Sequence, residues 1–133
     1  MGNRAVIAFS QNVNDTGIYV HWNGGPESVL AFLAVCKQRG YRTPAGDKSY
    51  AMARLVQVIC EFFPGDSSVG VGPLCELDID NYDNGAYLVG GNWVIESRWG
   101  EGSDHVKTVD ALDSGAREQY DGMVAQFTAT AAA

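Results

Sequence analysis

The chain of 133 residues and 14.3 kDa is 46% hydrophobic and 19% charged, the size and mix of one folded domain and not of a disordered chain. Nine Lys and Arg against sixteen Asp and Glu give a net charge of −7, which argues against a general nucleic-acid binder or an anionic-membrane binder. There is no run near the roughly 18 apolar residues of a membrane span and no signal-peptide pattern, and an odd set of three cysteines (Cys36, Cys60, Cys75) fits a reducing cytoplasm.

Arg4 to Ser10 (RAVIAFS) is continuously apolar and reads as a buried strand. Turn chemistry follows in Asn12 to Gly17, and Ile18 to Trp22 returns as a second strand, so the two predict a hairpin. Asn23-Gly24-Gly25-Pro26 breaks that strand and opens a helix, with Pro26 in the first turn and Glu27 at the positive end of the dipole. Val29, Phe32, Leu33 and Cys36 recur at helical spacing, and Gly40 is the stop signal. A second helix spans Ser49 to Phe63; only Arg54, Gln57 and Glu61 interrupt its apolar surface, so it reads as nearly enclosed.

The segment 67–99 reads as a meander: Val69 and Val71 between glycines, Leu77 and Ile79 alternating with acids, an Asn84-Gly85 hairpin signal, then AYLV and NWVIESRW. A last helix starts near Ser114 and sets Tyr120, Met123, Val124 and Phe127 on one face. The expectation is one α+β domain over residues 1–127, with a frayed tail at 128–133. Its sheet is mostly antiparallel, built of two hairpins or a meander, with two or three helices packed on one face.

Three groups of residues are candidates for a ligand site. The Asn23-Gly24-Gly25 loop joins a strand to a helix start, where backbone approaches a ligand closely and exposed N–H groups favour anions; a plain tight turn explains the same residues. Trp22, Trp93 and Trp99 offer stacking surfaces and Arg98 a bidentate phosphate partner, against the alternative of ordinary core tryptophans. Arg54 lies on the polar edge of an otherwise buried helix, where Gln57 and Glu61 are possible partners. Metal chemistry is not expected: the two His are isolated, no CxxC occurs, and Asp78-x-Asp80-x-x-Asp83 fails the calcium-loop spacing. No catalytic constellation stands out and no cofactor is implied; His21 beside the glycine loop is a lone base. Residues 68–133 hold eleven acids against three bases, either a solvated face or a surface for a basic partner.

GNRAVIAF at 2–9, GIYVHWNGGPESVLAFL at 17–33, ARLVQVICEFF at 53–63 and DNGAYLVGGNWVI at 83–95 together resemble a group of small phage and prophage proteins, the Thoeris anti-defence sponges. The resemblance implies a cytoplasmic counter-defence protein of an infected bacterium that binds a cyclic ADP-ribose-type immune signal without cleaving it, and that assembles as a homo-oligomer. It places pocket arginines on Arg54 and Arg98, with Asn23, Gly24 and Gly25 at the loop. Pro26 stands where that family's pattern often has Arg, a departure that puts a phosphate contact there in doubt. The expected function is therefore a non-enzymatic binder of a small cyclic nucleotide. The alternative is an acidic inhibitor docking on a host defence nuclease.

Overall fold

The computed structural model describes residues 2–63 and 67–132. Its elements in chain order are β1 (Ala5–Ala8), β2 (Thr16–Val20), α1 (Pro26–Gln38), α2 (Lys48–Glu61), β3 (Val69–Pro73), β4 (Ala86–Gly90), β5 (Val94–Trp99) and α3 (Ser114–Ala132), with 3-10 turns at Leu74–Glu76 and Val109–Ala111. The fold is α+β with a mostly antiparallel sheet, and among the described residues no helix is long and apolar enough to cross a membrane.

All four residues of β1 are fully buried, which puts this strand in the middle of the sheet. Ala5 and Ile7 join the core under the helices, while Val6 and Ala8 join a smaller cluster on the opposite face with Leu74 and Ala86. A strand buried on both faces takes neighbours on both edges. β2 pairs with it antiparallel, as the hairpin reading requires, and β4 pairs with it in parallel. The five strands lie in the order β3-β2-β1-β4-β5.

That order corrects the meander. β3 does not lead into β4 but lies at the far edge beside β2, and the chain then crosses beneath the sheet to reach β1. The crossing segment explains the period-two pattern at 76–80: Leu77 and Ile79 pack against the second face while Glu76, Asp78 and Asp80 point to solvent, without a strand forming. Asn84-Gly85 is also not a hairpin. The Asn81 side chain, 1% exposed, accepts the N–H groups of Asp83, Asn84 and Gly85 at 2.9–3.0 Å and steers the chain into β4. The true hairpin turn between β4 and β5 is Gly91-Asn92-Trp93.

α1, α2 and α3 cover the other face. Phe32 is fully buried, and a side chain of this kind stabilises the fold by about 1.5–3 kcal/mol. α2 starts at Asp47, whose carboxylate accepts the Tyr50 N–H, and buries Ala51, Leu55, Val58 and Ile59. α3 packs Met123 and Phe127 into the core, with Tyr120 and Val124 half-buried as its spacing predicts. Its helical backbone continues through 128–132, beyond the end assigned to the packed domain; residue 133 lies outside the described residues.

Candidate functional site

Parallel neighbours bring their carboxyl ends to the same edge of a sheet. Here the two ends are Phe9-Ser10 after β1 and Gly90-Gly91 after β4. A cleft of about 370 Å³ opens between Phe9, Ser10, Asp15, Thr16 and the first turns of α2, which contribute Lys48, Ser49 and Met52. A second recess of about 260 Å³ shares Phe9, Ser10 and Lys48 and continues past Pro44 to Gly90, Gly91 and Glu96. The combined size falls in the range of small-molecule sites.

The turn after β1 builds the floor. The Ser10 hydroxyl donates to the Asp15 carboxylate and accepts the Asn12 N–H at 3.1 Å, while Asp15 N–H donates to the Asn12 carbonyl at 3.0 Å. Phe9 is braced edge-on by Trp93 with ring centroids 6.0 Å apart, and Trp93 Nε1 donates to the Tyr41 carbonyl at 3.4 Å. The cleft therefore offers an aromatic face, a thioether, one ammonium, three hydroxyls and one carboxylate. Among the described residues no group of three His, Cys, Asp or Glu converges on a metal position.

None of the eight residues expected at the site lines either recess. Asn23-Gly24-Gly25 lies at the opposite end of β1, where Gly24 N–H donates to the Asn3 carbonyl at 2.8 Å. A Cβ on Gly24 would stand 2.5 Å from that carbonyl oxygen and 2.7 Å from Ala5 Cβ, so the glycine serves close packing of backbone on backbone. Gly25 is the N-cap of α1, and the Glu27 carboxylate folds back over it, 2.6 Å from where a Cβ would sit. The chain's own carboxylate thus stands beside the helix start, without a side-chain hydrogen bond capping it.

Arg98 and the glycine loop meet through one side chain. The Arg98 guanidinium stacks 4.2 Å from the centroid of Tyr87, and the Tyr87 hydroxyl donates to the Gly24 carbonyl at 2.7 Å. With a side chain 1% exposed, Arg98 pairs with Asp104 and donates to the carbonyls of Asn84 at 2.8 Å and Val106 at 3.3 Å. It is a strut, holding the 104–106 loop to the sheet. Burial pushes the Tyr87 hydroxyl well above its ordinary pKa, the Arg98 charge only partly opposing this, so it stays a donor.

Arg54 is held apart from both sites. Its guanidinium lies 4.8 Å from the Tyr50 centroid and 5.2 Å from Tyr41, and Nη1 donates to Gln57 Oε1 at 2.9 Å. Glu61 pairs with Arg39 instead, at 2.8 Å. Trp22 is 46% exposed and stands edge-on to His21. The ring of His21 is engaged by the Tyr19 hydroxyl at 2.9 Å. Trp99 sits half-buried on the far face of the sheet with Leu77 and Ile79. Trp93 is the one expected residue that bears on the cleft, through Phe9.

The acids of the calcium-like string have other work. Asp83 takes the Arg4 Nε at 2.8 Å, and this hydrogen bond holds its carboxyl below the usual range. Asp80 accepts the Glu101 N–H at 2.9 Å. Of the three free thiols, Cys36 is buried and pushed up to about 12 by desolvation, whereas Cys75 is exposed. No protein-family model, no curated protein and no solved structure matches the chain.

Proposed function

We propose that the protein binds a small anionic ligand of nucleotide type in the cleft beside Phe9 and Lys48, and holds it without cleaving it. The observation that carries this reading is the cleft's composition: the Phe9 ring, the Lys48 ammonium and Met52 thioether one turn apart on α2, and the hydroxyls of Ser10, Thr16 and Ser49. An aromatic face suits a base or a sugar edge, and a lysine at a helix start suits a phosphate. The resemblance supplies the ligand to try first, a cyclic ADP-ribose-type signal, and with it a counter-defence role in the bacterial cytoplasm. Three free thiols support a reducing compartment.

The test is a thermal-shift panel of cyclic ADP-ribose isomers and cyclic di- and trinucleotides, followed by mass analysis of the ligand released on heating. A ligand at about a hundredfold over its Kd raises stability by roughly 2.7 kcal/mol. The reading requires a shift for one of these, recovery of that ligand unchanged, and loss of the shift in Lys48→Glu. A changed mass makes the protein an enzyme.

The exposed row Glu76, Asp78 and Asp80 on the face away from the helices favours a second reading, docking on a basic protein. That reading requires an association with such a partner that weakens steeply with salt.

A further inference from the structure

The second recess ends on a bulge. In β5, Ile95 stands opposite Val89 and Ser97 opposite Leu88, so Glu96 between them is the extra residue, with no partner in β4. A bulge of this kind re-aims one side chain and recurs beside functional sites. Here the Glu96 side chain lies across Gly90: a Cβ on that glycine would collide with Glu96 Oε1 and Cδ and stand 2.8 Å from Cγ. Gly90 does not have a positive φ, so glycine is needed there for the space that the carboxylate fills.

Two opposite charges therefore border one recess, Glu96 over Gly90 and Lys48 on the part shared with the cleft. They do not pair with each other, and among the described residues neither charged group has a hydrogen bond or ion pair elsewhere in the protein. Asp15, the remaining charge of the cleft, is engaged by the Ser10 hydroxyl. Pro44, Ala45 and Gly91 also line the recess, and a Cβ on Gly91 would meet nothing within 4 Å, so its backbone is open to a flat group.

We propose that Glu96 selects the base of the ligand: it accepts a hydrogen bond from a nucleobase that carries an exocyclic amino group and rests against Gly90-Gly91, with the ligand's phosphate at Lys48. This rests on the nucleotide reading of the cleft and narrows its ligand class. A carboxylate accepts hydrogen bonds and does not donate them, so it favours a ring edge with an amino group over one that presents only acceptors. It also repels a second phosphate, so the anionic part of the ligand lies toward Lys48 and the base toward β5.

Amide-shift titrations with adenosine monophosphate, and with purine riboside monophosphate, which differs only in lacking the amino group, test this in the wild type, Glu96→Ala and Lys48→Glu. Glu96 is exposed on its bulge, and the amide spectrum verifies the fold of each variant. The wild type is expected to bind the adenosine compound about tenfold more tightly, the worth of a hydrogen bond to a charged acceptor. Glu96→Ala erases the preference by weakening the adenosine compound; the purine riboside compound binds as before or more tightly, since a carboxylate that repels its phosphate is gone. Equal affinities in the wild type overturn the inference, as does a preference that survives Glu96→Ala. If either result comes with binding that Lys48→Glu abolishes, the cleft reading stands and only the role of Glu96 falls. If neither compound binds, the inference falls as well, and the cyclic nucleotides of the thermal-shift panel decide the cleft reading on their own.

Discussion

Tyr87 touches Arg98 with its ring face and Gly24 with its hydroxyl, so one fully buried side chain joins the second hairpin to the start of α1. This contact brings together, through one side chain, two residues that the sequence marks as candidate ligand contacts. Gly24 uses its backbone N–H and carbonyl on the protein, and Arg98 uses Nη1 and Nη2, while the buried Arg98 Nε has no hydrogen-bond partner among the described residues.

If Arg98 is a strut, Arg98→Met destabilises the fold by about 2–3 kcal/mol, the scale of losing charge-assisted hydrogen bonds and a buried cation–π contact. Urea unfolding measures it. The 104–106 amides exchange faster in the variant, and cleft ligands still bind.

Gly24→Ala forces a Cβ to 2.5 Å from the Asn3 carbonyl oxygen, where neither backbone segment yields freely. A loss of about 1–3 kcal/mol follows, as for other overpacked sites. Tyr87→Phe keeps the ring on Arg98 and removes only the hydrogen bond to Gly24, for about 1 kcal/mol. Thermal melts of the two variants separate packing from bonding at the same junction.

Asp83 titrates below the usual carboxylate range because Arg4 donates to it, with both Nε and backbone N–H. A carboxylate with a depressed folded pKa stabilises the fold above its unfolded value of about 4 and loses that contribution as pH falls through the folded value. Asp83→Asn is therefore less stable near neutrality and shows a shallower loss of stability on acidification. A pH series of denaturant midpoints reads both effects.

Thiol reactivity follows burial. At mild alkaline pH a thiol reagent modifies exposed Cys75 quickly, while Cys36, pushed up to about 12 by burial, reacts only after unfolding. Mass spectrometry of the native and denatured chain locates the label.

Local pattern was enough for the helices. Pro26 and Gly40 bracket α1 and the 3.6-residue spacing of Met123 and Phe127 orients α3. The continuous apolar run at 5–8 signalled burial on both faces of β1. What the pattern did not disclose was which strand would be the second neighbour of β1. β4 enters from about eighty residues away, and the end of β4 contributes Gly90 to the second recess, which shares Phe9, Ser10 and Lys48 with the cleft. Asn81 carried a hidden signal too: its side chain substitutes for backbone partners in the turn, which turned an apparent Asn-Gly hairpin into a strand entrance. The site residues failed to gather for a similar reason. Glycine, tryptophan and arginine are as useful for tight packing and struts as for ligands, and period alone does not separate those uses.

The most direct test of the account is an amide chemical-shift titration of the labelled protein with cyclic ADP-ribose isomers. Saturable shifts at Phe9, Ser10, Thr16 and Lys48 through Met52 are the predicted result, with the ligand recovered intact. Saturable shifts confined to Gly24 through Val29 and the 104–106 loop, or none for any isomer, would contradict it.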